Sequence, residues 1–179
     1  KNNINYYGLD TSKEFIKYAN ETVYNINNKK IFINQDMRSF SIREKFDFIF
    51  IAFNTFLHLL TNKDALECLK SVKKHLSMDG KFILDIVVPK PEFLNRKKDK
   101  QLLLMDFKDR EVNDLVEIYE KCEYDSESEI CSIEWNYKYK TNIDFNKVFK
   151  YQMRMYHPDT INRILIDSGF FIDNLFGDY

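Results

Sequence analysis

Residues 46–53, "FDFIFIAF", form an almost unbroken apolar run of strand length. Such a run marks a parallel strand covered on both faces, so the chain must supply layers on either side of a sheet. Residues 82–88, "FILDIVV", form a second buried strand of the same kind. Between them Ala65, Leu66, Leu69, Val72 and Leu76 recur at helical spacing, ending at "MDG", where Gly80 suits a left-handed residue after the last turn. Upstream, residues 4–9 read as a strand, Phe15, Ile16, Ala19 and Val23 as a helix, and residues 31–34 as a short strand. Strand, helix, strand, strand, helix, strand predicts an open α/β sheet with helices on both faces.

After "PKPEF" the period changes. Cys131, Ile133, Trp135, Tyr137 and Tyr139 alternate with Ser132, Glu134, Asn136, Lys138 and Lys140, the pattern of an antiparallel strand with one wet face. Residues 115–124 precede it, and the turn "DSES" joins the two into a hairpin. Phe149, Tyr151, Met153 and Met155 repeat the alternation. Pro158 then opens a helix with Ile161, Ile164 and Leu165 buried, Gly169 closes it, and "FFIDNLF" reads as a returning strand. The small antiparallel sheet is thus an insertion into an α/β domain. There is no internal repeat.

The 179 residues suit one domain, and 27 Lys+Arg against 28 Asp+Glu leave a net charge of -1. A near-neutral chain has no general attraction for phosphate backbones or anionic membranes, so nucleic acid is not an expected partner. The longest apolar runs are strand-sized, and "KNNINYY" lacks the zones of a signal peptide. The expected location is cytoplasmic. Cys68, Cys122 and Cys131 have no metal-ligand spacing and read as reduced packing thiols; no metal site is expected.

The stretch "NYYGLDTSKEF" ends a strand on Asp10 and hands over directly to a helix. Ligands of open α/β sheets bind at the carboxyl ends of strands, where a carboxylate can accept both hydroxyls of a ribose. The competing reading is a cap for the helix beginning near Ser12. A second motif, "NQDMRSF", follows the next strand, and "KFDFIFIAFNTFLHL" and "HLSMDGKFILDI" follow in turn. In this order the four resemble the class I S-adenosylmethionine-dependent methyltransferases, in the small-molecule branch with a β-sheet insertion.

The resemblance implies a Rossmann-like methyltransferase sheet in three segments: a partial cofactor-binding core over 1–95, an inserted substrate lid over 96–156, and a returning helix and strand over 157–179. It implies that Asp10 holds the ribose diol of S-adenosyl-L-methionine, with Thr11 and Ser12 at the pocket edge. Asp36 would accept from the adenine amine and Met37 would pack on the ring, while Phe53 and Asn54 would flank the methionine arm and the substrate mouth. The competing reading of Asp36 is a solvated loop carboxylate.

One departure stands out. The family's first strand ends in a Gly-x-Gly loop, and Gly8, Gly80, Gly169 and Gly177 form none. The first strand and the last are therefore expected to be absent, and the chain to be a fragment that is inactive alone. A chain of this extent that folds must pair its remaining strands differently or borrow strands from a second copy, which admits a homodimer.

The expected activity is methyl transfer to an amine or hydroxyl of a small molecule. His58, just past a strand end, is the candidate base by its ordinary pKa, against a packing or capping role. Tyr156 and Arg154 are candidates to face the substrate, and Trp135, Tyr137 and Tyr139 either line a pocket or form a small core. His157 reads as the start of the last helix, and His75 falls in the polar half of its own. Two other classes remain open: a non-catalytic methyltransferase-like binding domain, and a nicotinamide-dependent Rossmann oxidoreductase.

Overall fold

The computed structural model describes residues 5–27 and 31–177. Two compact units emerge: Lys1–Phe50 with Lys63–Ile83, and Ile51–Asn62 with Leu84–Tyr179.

In the first unit, β1 (Gly8–Asp10) and β2 (Phe32–Asn34) pair in parallel, Asp10 opposite Asn34, and are joined through α1 (Lys13–Asn27). Residues 5–7, expected in the first strand, lie before it, and Ile4 falls outside the described residues. Ser12 caps α1, its Oγ accepting from the Phe15 N–H at 3.1 Å. Within this helix Asn20 is buried, and its side chain bonds Ile31 and Phe32 main-chain groups of the returning segment. That local arrangement sets where β2 begins.

β3 (Phe46–Ile51) pairs with β4 (Leu76–Leu84) as a second two-stranded sheet. The strand is where the apolar run predicts it, but its coverage is not: Phe48 and Phe50 are 67% and 70% exposed. On that side of β3, among the described residues, only Phe46 is covered, its ring packing on Tyr7 at 5.7 Å. α2 (Asn62–His75) buries Ala65, Cys68, Leu69 and Val72, the i, i+3, i+4, i+7 stripe of an amphipathic helix. It ends at His75 and β4 begins at once, so Gly80 is a strand residue rather than a helix cap. A Cβ there would stand 2.8 Å from the Phe46 carbonyl oxygen, which is why the site is glycine.

His75 is also placed differently from expectation. It is buried and stacks on Phe40 at 4.2 Å, with Nδ1 2.7 Å from the Ser71 C=O and Nε2 accepting the Ile42 N–H at 3.1 Å. The two bonds set the tautomer, Nδ1 protonated.

The second unit is built on a four-stranded antiparallel sheet in the order β5 (Leu102–Asp109), β6 (Asp114–Asp125), β7 (Ile130–Tyr139), β8 (Lys147–Arg154). β6 alternates strictly, burying Asp114, Val116, Ile118, Glu120 and Cys122. β5 is a fourth strand that the periodicity missed; it lies at an edge, mostly exposed and with a bulge near Leu103. Cys122, Cys131, Ile133 and Met155 form a buried cluster with Trp135, Tyr124 and Tyr151 packed on it. This makes Trp135 core. Cys122 and Cys131 are joined as a disulfide across the hairpin, correcting their reading as separate reduced thiols; Tyr124 faces Cys131 and Cys122 faces Ile133, so the two cysteines are diagonal neighbours. Cys68 keeps a free thiol that burial pushes up to about 12.

A short helix, α3 (Pro91–Leu94), precedes the sheet. After it, α4 (Pro158–Asp167) starts on proline and buries Ile161 and Ile164. Gly169 closes it at φ 76°, with the Phe170 N–H reaching back to the Leu165 C=O at 3.0 Å. The following "FFIDNLF" is not a strand: Phe171, Leu175 and Phe176 are at least 80% exposed, and no ladder forms there among the described residues. A strand exists only through its partner, which apolar sequence alone does not provide.

Candidate functional site

The first unit places Asp10 at the carboxyl end of β1 and Asp36 two residues past that of the neighbouring parallel strand β2. Asp10 is exposed; its Oδ1 accepts the Ser12 N–H at 2.7 Å. Ser12 caps α1 through its own hydroxyl, and Asp10 bonds the main chain one residue before the helix. Asn34 ties the strand ends together, its Nδ2 donating to the Asp10 and Thr11 carbonyls at 3.0 and 2.8 Å. The Gln35 N–H donates to Asp10 C=O at 3.2 Å. Thr11 is exposed and Ser12 half-buried.

Asp36 has an organising partner that the sequence reading missed. Arg38 Nε reaches both carboxylate oxygens at 3.0 and 3.1 Å, its Nη2 reaches Oδ2 at 2.6 Å, and its own N–H reaches Oδ1 at 2.8 Å. These bonds hold the Asp36 carboxyl below the usual carboxylate range. Arg38 Nη1 also reaches Asp64, in the first turn of α2, at 2.7 Å. The spacing D-x-R was the available signal. Met37, between them, is half-buried.

The second unit holds the remaining candidates. Phe53 and Asn54 follow β3 in a left-handed turn, with Phe53 90% exposed. His58 ends the short 3-10 helix Thr55–His58, whose Phe56 and Leu57 are fully buried. Its exposed ring lies 6.1 Å from that of Tyr151.

Both side chains line a cleft of about 720 Å³ with Lys98, Lys121, Glu123, Glu134 and Lys150 among its walls. Four of its charges form two ion pairs, Lys98 with Glu123 and Lys150 with Glu134 at 3.0 Å. Asn136 and Lys150 bonds hold Glu134 below the usual range. Burial, with Glu120 nearby, pushes the Tyr151 hydroxyl up to about 12, so near neutrality it serves as a donor.

Arg154 and Tyr156 sit in the scaffold. Arg154 is buried, its Nε and Nη2 on Glu129 at 3.1 and 2.9 Å and its Nη1 on Asn62 at 2.6 Å. Tyr156 is 1% exposed, donates to the Leu59 C=O, and stacks beneath the Arg154 guanidinium at 4.6 Å. The two residues hold the His58 segment against β8 rather than facing solvent.

Among the described residues no group of three or more His, Cys, Asp or Glu is placed to hold a metal ion. No helix among them is long and apolar enough to cross a membrane.

Residues 1–80 match the family model described as a methyltransferase domain. In three dimensions the chain superposes on a S-adenosylmethionine-dependent methyltransferase from Clostridium acetobutylicum at TM-score 0.71 and 21% identity, covering 92% of this chain and 63% of the other. The fold is that of the S-adenosylmethionine-dependent methyltransferases. This methyltransferase fold also matches the CcbJ methyltransferase from Streptomyces caelestis at TM-score 0.72 and 15% identity, over 91% and 62% of the two chains. A third match is S-adenosylmethionine-bound CalS10, an amino pentose methyltransferase from Micromonospora echinaspora, at TM-score 0.64 and 16% identity, over 90% and 64%. The chain spans less than two thirds of each of these structures. No curated protein matches it.

Proposed function

We propose that the protein transfers a methyl group from S-adenosylmethionine to an amine or hydroxyl of a small molecule. The observation that carries this reading is the pair of carboxylates at the carboxyl ends of the parallel strands β1 and β2, with Asp10 exposed and the strand ends locked by Asn34. An exposed carboxylate at that place fits a ribose diol.

Asp10 accepts the two ribose hydroxyls, Thr11 and Ser12 form the pocket edge, and Met37 packs on the adenine ring. Asp36 accepts from the adenine amine with its lone pairs left over from Arg38, which keeps it ionised. Phe53 and Asn54 flank the methionine arm. S-adenosylmethionine supplies a methyl activated by the sulfonium: the acceptor's lone pair bonds to the methyl carbon as the C–S bond breaks and its electrons return to sulfur.

The protein's remaining tasks are alignment and proton removal. His58 takes the proton that the acceptor loses. The inserted sheet selects the acceptor. CalS10 acts on an amino pentose, and an acceptor of that kind, rich in amine and hydroxyl groups, suits a cleft that offers Glu123 and Glu134 as acceptors and Tyr151 as a donor.

Calorimetric titration of S-adenosylhomocysteine into the protein and into Asp10→Ala tests the reading, with a nicotinamide dinucleotide as control. Micromolar binding lost in the variant is expected. No binding to the folded protein would overturn it and leave a partner-binding domain, and preference for the dinucleotide would favour the oxidoreductase alternative.

A further inference from the structure

Phe53 and Asn54 are consecutive non-glycine residues with φ of 52° and 62°. The left-handed region is sterically unfavourable for any residue with a Cβ, and Phe lacks the short polar side chain that lets Asn visit it. Packing does not hold Phe53 there, since its ring is 90% exposed. The restraint comes from the segment after β4. Asp85 Oδ2 accepts the Phe53 N–H at 2.9 Å, and Asp85 C=O accepts the Asn54 N–H at 3.3 Å. The Asp85 N–H donates to Ile51 C=O at 2.9 Å, and Asn54 Oδ1 accepts the Val87 N–H at 2.6 Å.

Both residues of the turn are thus clasped from one neighbouring strand end, and the outcome is an aromatic ring held out in solvent. Strain of this kind persists only where surrounding bonds over-determine it, and such turns collect at ligand sites. We infer that Asp85 is a positioning residue whose carboxylate locks the Phe53–Asn54 turn so that the Phe53 ring forms an apolar wall for the bound cofactor. The inference rests on the assignment of Phe53 and Asn54 to the methionine arm. Asp85 touches no ligand in this account; it acts through the Phe53 main chain.

Three variants test it: Asp85→Leu removes the acceptor while keeping the branching at Cγ, Asp85→Asn keeps an acceptor oxygen at nearly the same volume, and Phe53→Ala removes the ring. Two readouts are needed, the backbone carbon shifts and φ-dependent couplings of residues 53 and 54, and the affinity for S-adenosylhomocysteine. In Asp85→Leu the residue 53 signals should move to negative φ and affinity should fall at least tenfold, whereas Asp85→Asn should retain the turn and stay within about threefold. Phe53→Ala should lose affinity at an unchanged thermal midpoint, a result that stands even where Asp85→Leu fails to fold.

Positive φ retained in Asp85→Leu, or a lost turn with unchanged affinity, would overturn the inference; so would Phe53→Ala binding as well as its parent. If the unmodified protein binds no S-adenosylhomocysteine, the cofactor reading and the wall role of Phe53 fall together. The spectroscopic arm then still decides whether Asp85 holds the turn.

Discussion

Glu129 receives two hydrogen bonds from Arg154, at 3.1 and 2.9 Å, while its own backbone is held at φ 60°. The same carboxylate accepts from Thr160 Oγ1 at 3.1 Å, and Glu129 C=O takes the Met155 N–H at 2.7 Å. One residue of a turn therefore ties β8 to α4, and Arg154 extends the tie to Asn62. Removing one member of a buried pair leaves the other charge uncompensated. Arg154→Ala should destabilise the protein by about 3 to 5 kcal/mol, read by urea unfolding. A variant that loses almost nothing would show that the pair is not a structural anchor.

The His75 ring should be replaceable only at a cost. His75→Leu keeps the apolar contact with Phe40 but leaves the Ile42 N–H without its acceptor, a loss of about 1 to 3 kcal/mol for a buried donor. Thermal unfolding of the variant measures it, and an unchanged midpoint would mean that water replaces the imidazole there.

Acid should loosen the four-stranded sheet through Asp114. Its Oδ2 accepts the Asn142 and Thr141 N–H groups at 2.9 and 3.0 Å, and these bonds pull its carboxyl down to about 2 from 3.8. A carboxyl lowered in the folded state stabilises fully above its unfolded pKa, and that contribution is lost as pH falls through the folded value. Stability should therefore decline between about pH 4 and pH 2, in part through this residue. Asp114→Asn should be less stable at neutral pH and show a shallower acid dependence; an identical pH profile would remove Asp114 from the explanation.

Arg38 should control the ionisation of Asp36. In Arg38→Leu the carboxyl loses the bonds that hold it down, so its titration should move up toward the ordinary range. Carboxyl carbon shifts followed against pH in the two proteins measure the change. No movement would show that the guanidinium is not the main cause.

Much of the layout was readable because it depends on neighbours in sequence. The α2 stripe, the Pro158 and Gly169 ends of α4, and the β6–β7 hairpin around "DSES" each follow from local periodicity and turn chemistry. At the candidate site, local pattern placed Asp10 at a strand end, Asp36 just past the next, and Phe53 and Asn54 at the end of the third apolar run. It did not reveal the Asp85 clasp, because that bond joins residues 32 apart.

The same limit explains several of the differences. His75 looked like a surface residue because its partner Ile42 is 33 positions away. Cys122 and Cys131 meet only in the register of one hairpin, Arg154 and Tyr156 turn inward only because Asn62 and Leu59 lie beside them, and "FFIDNLF" lacks a strand because pairing is not a property of one segment.

The sequence by itself determined the α2 and α4 helices, the β6–β7 hairpin and which residue types stand at the strand ends, since these rest on side-chain period and backbone preference over a few residues. Only the tertiary structure decided which polar groups are buried and what satisfies them. A buried donor or acceptor must find its partner wherever the fold brings one, irrespective of distance along the chain.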